Sequence, residues 1–335
     1  MLLDSVKILR RQTEMKVSLI LTLAVTIFMV ACSENDEIRE MHQIDFKTVS
    51  QHGSKANVFG VIGATYSDAE HFGVYAFHKV NGVWDEKPYM DSVDISKVGS
   101  DWKNADTSYL WPGSGDLTFA CYSPYEFGKG SVIADTETGI KFIGFEAPTD
   151  CNYQIDLMTA DIIKGAKYSG NPVSVVFKHL LSQIRFTVST KDNYVGTNID
   201  SIIINNIEIK ELKTKADYNV SDSAEWSNHS GESVYRVLDV DSVVNLDKTV
   251  KTISSPLLVI PQNASDYKWD TDKDIVEVRY TTVFENGIKE TQTKYLGTET
   301  EWKKGYIYNY NIVFGQREIT FTPEIHPWED GNAEE

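Results

Sequence analysis

The chain has 335 residues, of which 41% are hydrophobic and 24% are charged, and its formal net charge is −17. This is the composition of a globular protein long enough for one large or two medium domains. The acidic surplus argues against nucleic-acid binding, because the phosphate backbone attracts surfaces rich in Lys and Arg.

The N-terminal region carries the longest apolar run of the chain, from residue 17 to residue 31. It is shorter than the roughly 20 residues that span a bilayer as a helix. It has the size of a signal-peptide core, and Lys16 supplies the positive charge expected before it. We therefore predict a signal peptide over residues 1–31. Met15 is a more natural start than Met1, which makes residues 1–14 a candidate over-extended gene start.

The stretch Met-Val-Ala-Cys that ends at Cys32 resembles a bacterial lipobox. In such a motif the peptidase cuts between Ala31 and Cys32, and the thiol carries acyl chains that hold the protein to one leaflet. The alternative is an ordinary signal peptide followed by a chance cysteine. The acidic residues 33–37 resemble the surface-export signal of Bacteroidota lipoproteins, or they form a plain soluble tether. We predict that residues 32–41 are a lipidated acidic tether.

The remainder of the chain shows hydrophobic alternation with a period of two. Turn signals recur at roughly ten-residue spacing, which is typical of β-sandwiches, and no convincing amphipathic helix appears. Asn81-Gly82 predicts a hairpin with a type I′ turn, and Asn286-Gly287 predicts a second hairpin. The cluster Gly170-Asn171-Pro172 is a candidate boundary. We predict an all-β chain with one sandwich over residues 42–170 and another over residues 171–335.

The residues that usually carry catalysis show no recognisable constellation. None of the seven histidines has metal-binding spacing, and His71 and His78 fall on opposite faces of one strand. No nucleophile elbow, P-loop or dinucleotide fingerprint occurs. We predict neither enzymatic activity nor a metal or cofactor. Cys121 and Cys151 form either one disulfide or two separate thiols.

Asp-Ser-aliphatic triplets resemble the O-glycosylation sequon of Bacteroidota. They make Ser92, Ser223 and Ser242 candidate glycosylation sites, and Ser201 is the weakest because it begins an expected strand.

A series of motifs, in order along the chain, resembles the fimbrillin family of Bacteroidales, the type V pilins and their accessory subunits. The series comprises the lipobox, FGVYAF, YLWPGSGDLTFACYSPY, DLMTAD, VVFKHLLSQIRFTV, LLVIPQ, EWKKGYIYNYNIVF and ITFTPEIHPW. The resemblance implies two tandem transthyretin-like β-sandwich domains in a surface lipoprotein. It also implies that a trypsin-like protease removes the first strand, after which a strand of the next subunit fills the vacated groove by β-augmentation.

Carried onto this sequence, the resemblance implies specific residues. The displaced first strand contains Ile44 and Phe46, and the donor strand contains Ile319, Phe321 and Ile325. Pro323 suits a donated or edge strand because it lacks an N–H group. The candidate protease sites are Arg39, Lys47 and Lys55.

The sequence departs from the family pattern because no Arg follows the first strand closely. Without processing, the protein would be an anchor or stand-alone surface subunit.

Three functions follow as hypotheses. The first is a structural and adhesive subunit of fimbriae, or their anchor, on the outer membrane or in the fimbrium. Its partners would be other fimbrial subunits through β-strand addition, a host or bacterial surface receptor, and the membrane through the lipid. The second is a surface glycan-binding lipoprotein with Trp84, Trp102, Trp111 and Trp226 on its binding face. The third and weakest is a lipoprotein hydrolase.

Overall fold

The structure is a computed structural model. It describes residues 41–48, 71–128, 132–135, 139–194, 196–220, 225–238, 241–263, 274–298, 301–315 and 318–328. Strands dominate these residues, and the two helical segments found among them are short. The prediction of an all-β fold is confirmed.

The first half of the chain contains short and medium strands. They are β1 (Phe46–Thr48), β2 (Phe72–Val80), β3 (Val83–Trp84), β4 (Met90–Val98), β5 (Asp101–Lys103), β6 (Asp116–Ser123), β7 (Val132–Asp135), β8 (Gly139–Glu146), β9 (Met158–Ala160) and β10 (Ile163–Ala166). One turn of helix, α1 (Tyr125–Gly128), follows β6, and a 3-10 turn covers Cys151–Tyr153.

The second half contains the longest strands. They are β11 (Val173–Val175), β12 (Phe177–His179), β13 (Ser182–Thr190), β14 (Ile199–Leu212), β15 (Lys215–Val220), β16 (Trp226–Ser230), β17 (Ser233–Leu238), β18 (Ser242–Val243), β19 (Lys251–Thr252), β20 (Leu257–Val259), β21 (Val276–Phe284), β22 (Lys289–Leu296), β23 (Tyr306–Phe314) and β24 (Ile319–Pro327).

The first sheet has the order β11-β1-β5-β4-β2-β6-β9-β12, with β3 and β10 attached to β2 and β6. One hydrophobic core consists entirely of residues on or beside its strands, among them Phe72, Phe119 and Val175. Alternation explains this burial, because every second residue of a strand points to the same face. The other face of β2 and β6 packs against a fourth sheet of order β16-β15-β8-β7.

The second and third sheets form a sandwich in the C-terminal half. Their orders are β19-β13-β23-β24, with β20 on β13, and β17-β14-β21-β22, with β18 on β14. Alternating residues of β13, β14 and β23 meet between them, for example Phe186, Ile204 and Tyr310, all fully buried. Two facing sheets with interdigitated side chains are the sandwich arrangement.

The described strands form four separate sheets. The predicted domain limits at residues 42–170 and 171–335 stay a prediction. β11 and β12 lie after Gly170 and yet pair with β1 and β9 of the first sheet. β8 pairs with β15, which joins strands from both predicted halves in the fourth sheet.

Both predicted hairpins are present. Asn81 and Gly82 have φ values of 50° and 83°, as a type I′ turn between β2 and β3 requires. In the β21–β22 hairpin, Gly287 has a φ of 83° and donates its N–H to the Phe284 carbonyl. Glycine suits these positive φ values because it has no Cβ.

Candidate functional site

The predicted first strand lies inside the first sheet rather than at its edge. β1 pairs in parallel with β11, with Phe46 opposite Val173, and antiparallel with β5, with Phe46 opposite Trp102. Just before the strand, the Ile44 N–H donates to the Tyr109 carbonyl over 2.7 Å. A segment with only three paired residues therefore fills a slot between two neighbours.

The side chains of this segment complete the core of the first sheet. Ile44 and Phe46 are both 2% exposed. The Phe46 ring meets Phe72 and Phe119 edge-on, with centroid distances of 5.9 and 5.7 Å. Removing the segment would uncover an apolar groove whose walls are β5 and β11.

Asp45 lies between these two apolar residues, and its surroundings do not suit a carboxylate. Its Oδ1 atom is buried without a hydrogen-bond partner. Desolvation raises the pKa of Asp45 above its ordinary value; Lys103 opposes this shift and Asp101 adds to it. The backbone of Asp45 does have a partner, because its carbonyl accepts a hydrogen bond from the Val173 N–H over 2.8 Å.

The predicted donor strand, β24, is an edge strand of the second sheet. Among the described strands it pairs only with β23, over nine consecutive residues. Ile319 and Phe321 pack partly buried against the C-terminal core, and the Phe321 ring stacks on Tyr310 with centroids 4.6 Å apart. Ile325, on the same face, is 45% exposed. The strand is thus held more tightly at its N-terminal end.

An aromatic contact secures the residue that follows β24. Trp328 is only 7% exposed and stacks on the His179 ring at 3.9 Å between centroids. The Nδ1 atom of His179 lies 2.8 Å from a carboxylate oxygen of buried Asp156. The Trp328 N–H donates to the Gly305 carbonyl over 2.7 Å. Trp328 thus fixes the C-terminal end of β24 against β12 of the first sheet.

The Trp328 contact was not predicted from the sequence. The Trp that ends the motif ITFTPEIHPW was a signal, since it adds a large apolar residue just beyond the alternating strand. Its partners His179 and Asp156 lie far away in the sequence, and no local pattern joins them to Trp328.

Of the three candidate protease sites, one lies among the described residues. Lys47 lies in β1 with an exposed side chain, whereas Arg39 and Lys55 lie outside the described residues. Ala31 and Cys32, the predicted signal cleavage and lipidation positions, also lie outside them.

Two of the candidate glycosylation serines are described, and both are half-buried. Ser92 is half-buried in β4, and its hydroxyl lies 2.9 Å from the Tyr122 hydroxyl. Ser242 is half-buried in β18, beside exposed Val243. Ser223 lies outside the described residues.

The four tryptophans suggested for a glycan-binding face are dispersed and packed. Trp102 is 4% exposed in the core of the first sheet, and Trp111 packs against that core. Trp84 packs against the other face of the sheet, under the Lys79 ammonium. Trp226 packs on Tyr218 and donates its ring N–H to the Leu180 carbonyl. They do not form one exposed platform.

A cleft of about 540 Å³ lies beside Trp226. Its other lining residues include His229, Gln262, Glu301 and Lys304. Burial lowers the pKa of Lys304 from its ordinary value, and its ammonium lies 5.2 Å from the centre of the Tyr218 ring. The cleft thus combines an aromatic ring with groups that form hydrogen bonds.

The two cysteines after Cys32 are free thiols. Cys121 is buried in the core of the first sheet, whereas half-buried Cys151 packs against the C-terminal core. Burial raises the pKa of the Cys121 thiol to about 12, which makes it unreactive.

Among the described residues, no group of three or more His, Cys, Asp or Glu side chains is arranged to hold a metal ion. No helix in the same residues is long and apolar enough to cross a membrane.

Comparison with known proteins adds a family and a set of related folds. A family model described as fimbrillin-like matches residues 61–328. No protein with a curated description matches the chain by sequence.

Three solved structures share the fold. A fimbrial protein from Bacteroides vulgatus is 19% identical, with 85% of this chain and 99% of that chain covered and a TM-score of 0.58. A candidate cell adhesion protein from Bacteroides ovatus is 18% identical, with 87% and 99% covered and a TM-score of 0.53. Another from Bacteroides uniformis is 15% identical, with 85% and 98% covered and a TM-score of 0.50.

Proposed function

The chain belongs to the fimbrillin-like family, and on that premise we propose that it is a cell-surface lipoprotein that joins other fimbrial subunits by strand exchange. Membership makes it a structural protein rather than an enzyme. The similar structures are a fimbrial protein and a candidate cell adhesion protein, which supports the same role.

One observation carries the strand-exchange part of this proposal. A three-residue strand, β1, fills a slot between β5 and β11, and its Phe46 together with Ile44 just before it completes a core. Its loss would leave unpaired backbone groups along both walls together with exposed apolar surface. Both are costly in water, and an incoming strand satisfies both at once.

The position of the protease cut decides whether this slot opens. A cut after Arg39 leaves Ile44 and Phe46 in the chain, whereas a cut after Lys47 or Lys55 detaches both residues. Lys47 is paired in β1, so cleavage there requires the strand to leave its slot first. We therefore assign processing to Lys55 and treat Arg39 as a site that trims only the tether.

Limited trypsin treatment of the mature protein tests this proposal. We expect a new N-terminus at Ala56 and a ladder of oligomers by gel electrophoresis without boiling. The variant Lys55→Gln should lose the ladder, whereas the matched control Arg39→Gln should keep it. Complete trimming to Ala56 without any oligomer would refute strand exchange.

Lipid anchoring requires a test separate from that of strand exchange, because it depends on Cys32 and not on the slot of β1. In a Bacteroides host, Cys32→Ser should move the protein out of the membrane fraction and abolish labelling by a palmitate analogue. Cys151→Ser is the matched control and should leave both unchanged. A Cys32→Ser protein that still takes up the label would contradict lipidation at this residue.

The cleft beside Trp226 favours a second candidate function, glycan binding at the cell surface. Aromatic rings pack against the apolar faces of sugars, and the exposed Glu301 carboxylate offers hydrogen-bond acceptors beside such a ring. A glycan array with the untrimmed protein tests this function. A micromolar ligand whose binding is lost in Trp226→Ala but kept in Trp84→Ala would favour it.

A further inference from the structure

We propose that the cleft beside Trp226 binds a sugar that carries a carboxylate, with the sugar ring against the Trp226 indole and the carboxylate at the Lys304 ammonium. This inference rests on the second candidate function, glycan binding, and names its ligand class. Uronic acids and sialic acids share this chemistry, because both have a carboxylate attached directly to a pyranose ring.

The walls of the cleft come from three segments that the fold holds together. They are the start of β16, residues 261–263 after β20, and residues 301–304 before β23. Gln262 and Trp302 join the last two segments, because each donates its backbone N–H to the carbonyl of the other, over 3.1 and 3.0 Å. Trp302 is 1% exposed, and its ring N–H donates to the Tyr310 hydroxyl over 2.9 Å. The cleft is therefore preformed, as sites for small molecules usually are.

Trp226 offers an apolar surface to a ligand. Its ring N–H already donates to the Leu180 carbonyl over 2.7 Å. The ring packs against Tyr218 and Phe145, with centroid distances of 5.0 and 5.4 Å, so its orientation is fixed. Trp226 is half-buried and lines the cleft. A fixed indole whose N–H is already bonded is a platform for the C–H groups of a sugar ring.

Lys304 places a positive charge at the same cleft. Its ammonium donates to the Tyr218 hydroxyl over 3.2 Å and lies 5.2 Å from the centre of that ring. Burial lowers the pKa of Lys304; Glu225 and Asp161 oppose this shift and Lys178 adds to it. The surroundings therefore stabilise the charged ammonium less than water does. A carboxylate of the ligand would compensate this charge through a charge-assisted hydrogen bond.

The acidic residues of the cleft have two different roles. The Glu301 carboxylate is exposed, and the Lys303 ammonium, 3.8 Å away, offsets its charge. Glu301 is thus placed to accept hydrogen bonds from sugar hydroxyls. Glu225 is also exposed and lines the cleft, where it attracts the Lys304 ammonium. Glu225 therefore competes with the carboxylate of the ligand.

The shape of β16 favours a sugar over an acidic peptide. Among the described strands, β16 lies at the edge of the fourth sheet, where a peptide could add as a further strand. Its register on β15 shifts between Lys215 and Asp217, and Asn228 has a φ of 55°. Such a bulge bends an edge strand and disrupts the ladder that a peptide needs. The cleft volume of about 540 Å³ lies within the roughly 300–1,000 Å³ of small-molecule sites.

Matched pairs of sugars test the carboxylate. The probes are sialyllactose against lactose, and cellobiouronic acid against cellobiose, each titrated calorimetrically into the untrimmed protein. We expect the acidic member of at least one pair to bind about tenfold or more tightly than its neutral partner, because a hydrogen bond to a charged group contributes more than a neutral one. The pair that shows the preference identifies the source of the carboxylate.

Two substitutions of exposed residues locate the carboxylate without disturbing a core. Lys304→Gln should reduce the preference for the acidic sugar to about twofold or less, because the amide carries no charge. Glu225→Gln should strengthen binding of the acidic sugar by about two- to fivefold, and such a gain cannot come from misfolding. Lys191→Gln is the matched control. It makes the same charge change at an exposed lysine outside the cleft lining, and it should leave the preference unchanged.

The results separate the ligand class from glycan binding itself. Equal affinity for acidic and neutral partners, a preference that survives in Lys304→Gln, or a glycan array whose hits are all neutral overturns the carboxylate contact and leaves glycan binding standing. An acetylated tripeptide with a central glutamate that binds when neither sugar acid does overturns the sugar in favour of an acidic peptide. Failure of every sugar, in the titrations and on the array, overturns both.

Discussion

Individual side chains of β1 carry much of the stability of the first sheet. Phe46 is buried against two aromatic rings, whereas Phe321 of β24 is only half-buried and stacks on Tyr310. We expect Phe46→Ala to lower the free energy of unfolding by about 3–5 kcal/mol. For Phe321→Ala we expect about 1–2 kcal/mol. Denaturant unfolding of the untrimmed chain measures both, and equal losses would contradict the difference in burial.

Asp45 gives a prediction for pH dependence. Its pKa is raised in the folded state above the ordinary value of 3.8, so the folded state favours its protonated form. The stability that this form contributes is present below pH 3.8 and is lost as the pH rises through the folded pKa. We therefore expect Asp45→Asn to be more stable than the native chain at pH 7, by about 1 kcal/mol or less.

The same difference should vanish below about pH 3.8, where Asp45 is protonated in both folded and unfolded chains. Thermal melts across this pH range are the measurement. The exposed substitution Asp200→Asn is the matched control and should show no such pattern. An Asp45→Asn protein that is less stable at pH 7 would show that the carboxylate holds β1 in place.

The Trp328 contact should determine how firmly the whole strand β24 is held. This strand has a single described neighbour, and its C-terminal half is exposed up to Trp328. Trp328→Ala should increase amide hydrogen exchange in the second half of β24 by about tenfold or more, because the end of an edge strand then frays. Trp328→Phe should keep most of the protection, and β21 should be unaffected in both.

Local patterns were enough to predict many strands but not their partners. The Asn81-Gly82 and Asn286-Gly287 turns fix pairs of strands that are adjacent in sequence, and both hairpins are present. The parallel pairing of β1 with β11 joins Phe46 to Val173 across more than a hundred residues. No local signal specifies such a pairing, because it depends on burial shared by the whole sheet.

The segment after Pro172 is a second case in which the sequence predicts strands but not their partners. The cluster Gly170-Asn171-Pro172 predicted that the second half begins here, and the structure divides the segment into β11, β12 and β13. The first two belong to the first sheet and β13 to the second. An apolar run indicates that strands are buried, whereas the sheet that buries them is decided by distant residues.

At the scale of the whole molecule, charge should oppose assembly. The chain carries a net charge of −17, so two copies repel each other as they approach. We expect the trimmed protein to assemble several-fold faster in 0.15 M than in 0.01 M NaCl, because the Debye length falls from about 30 Å to about 8 Å. Light scattering follows the rate. An equal osmolality of sucrose is the control, and slower assembly in salt would show that opposite charges guide the contact.

The pairing of β23 has a mechanical consequence. β23 lies between β13 and β24, with eight registered residues in parallel on one side and nine antiparallel on the other. A pull along β24 is parallel to these strands, so it shears many hydrogen bonds at once instead of opening them one by one. Resistance to such a force depends on the unfolding rate rather than on equilibrium stability. While β24 stays paired with β23 in its own chain, the second sheet therefore resists tension along its terminal strand.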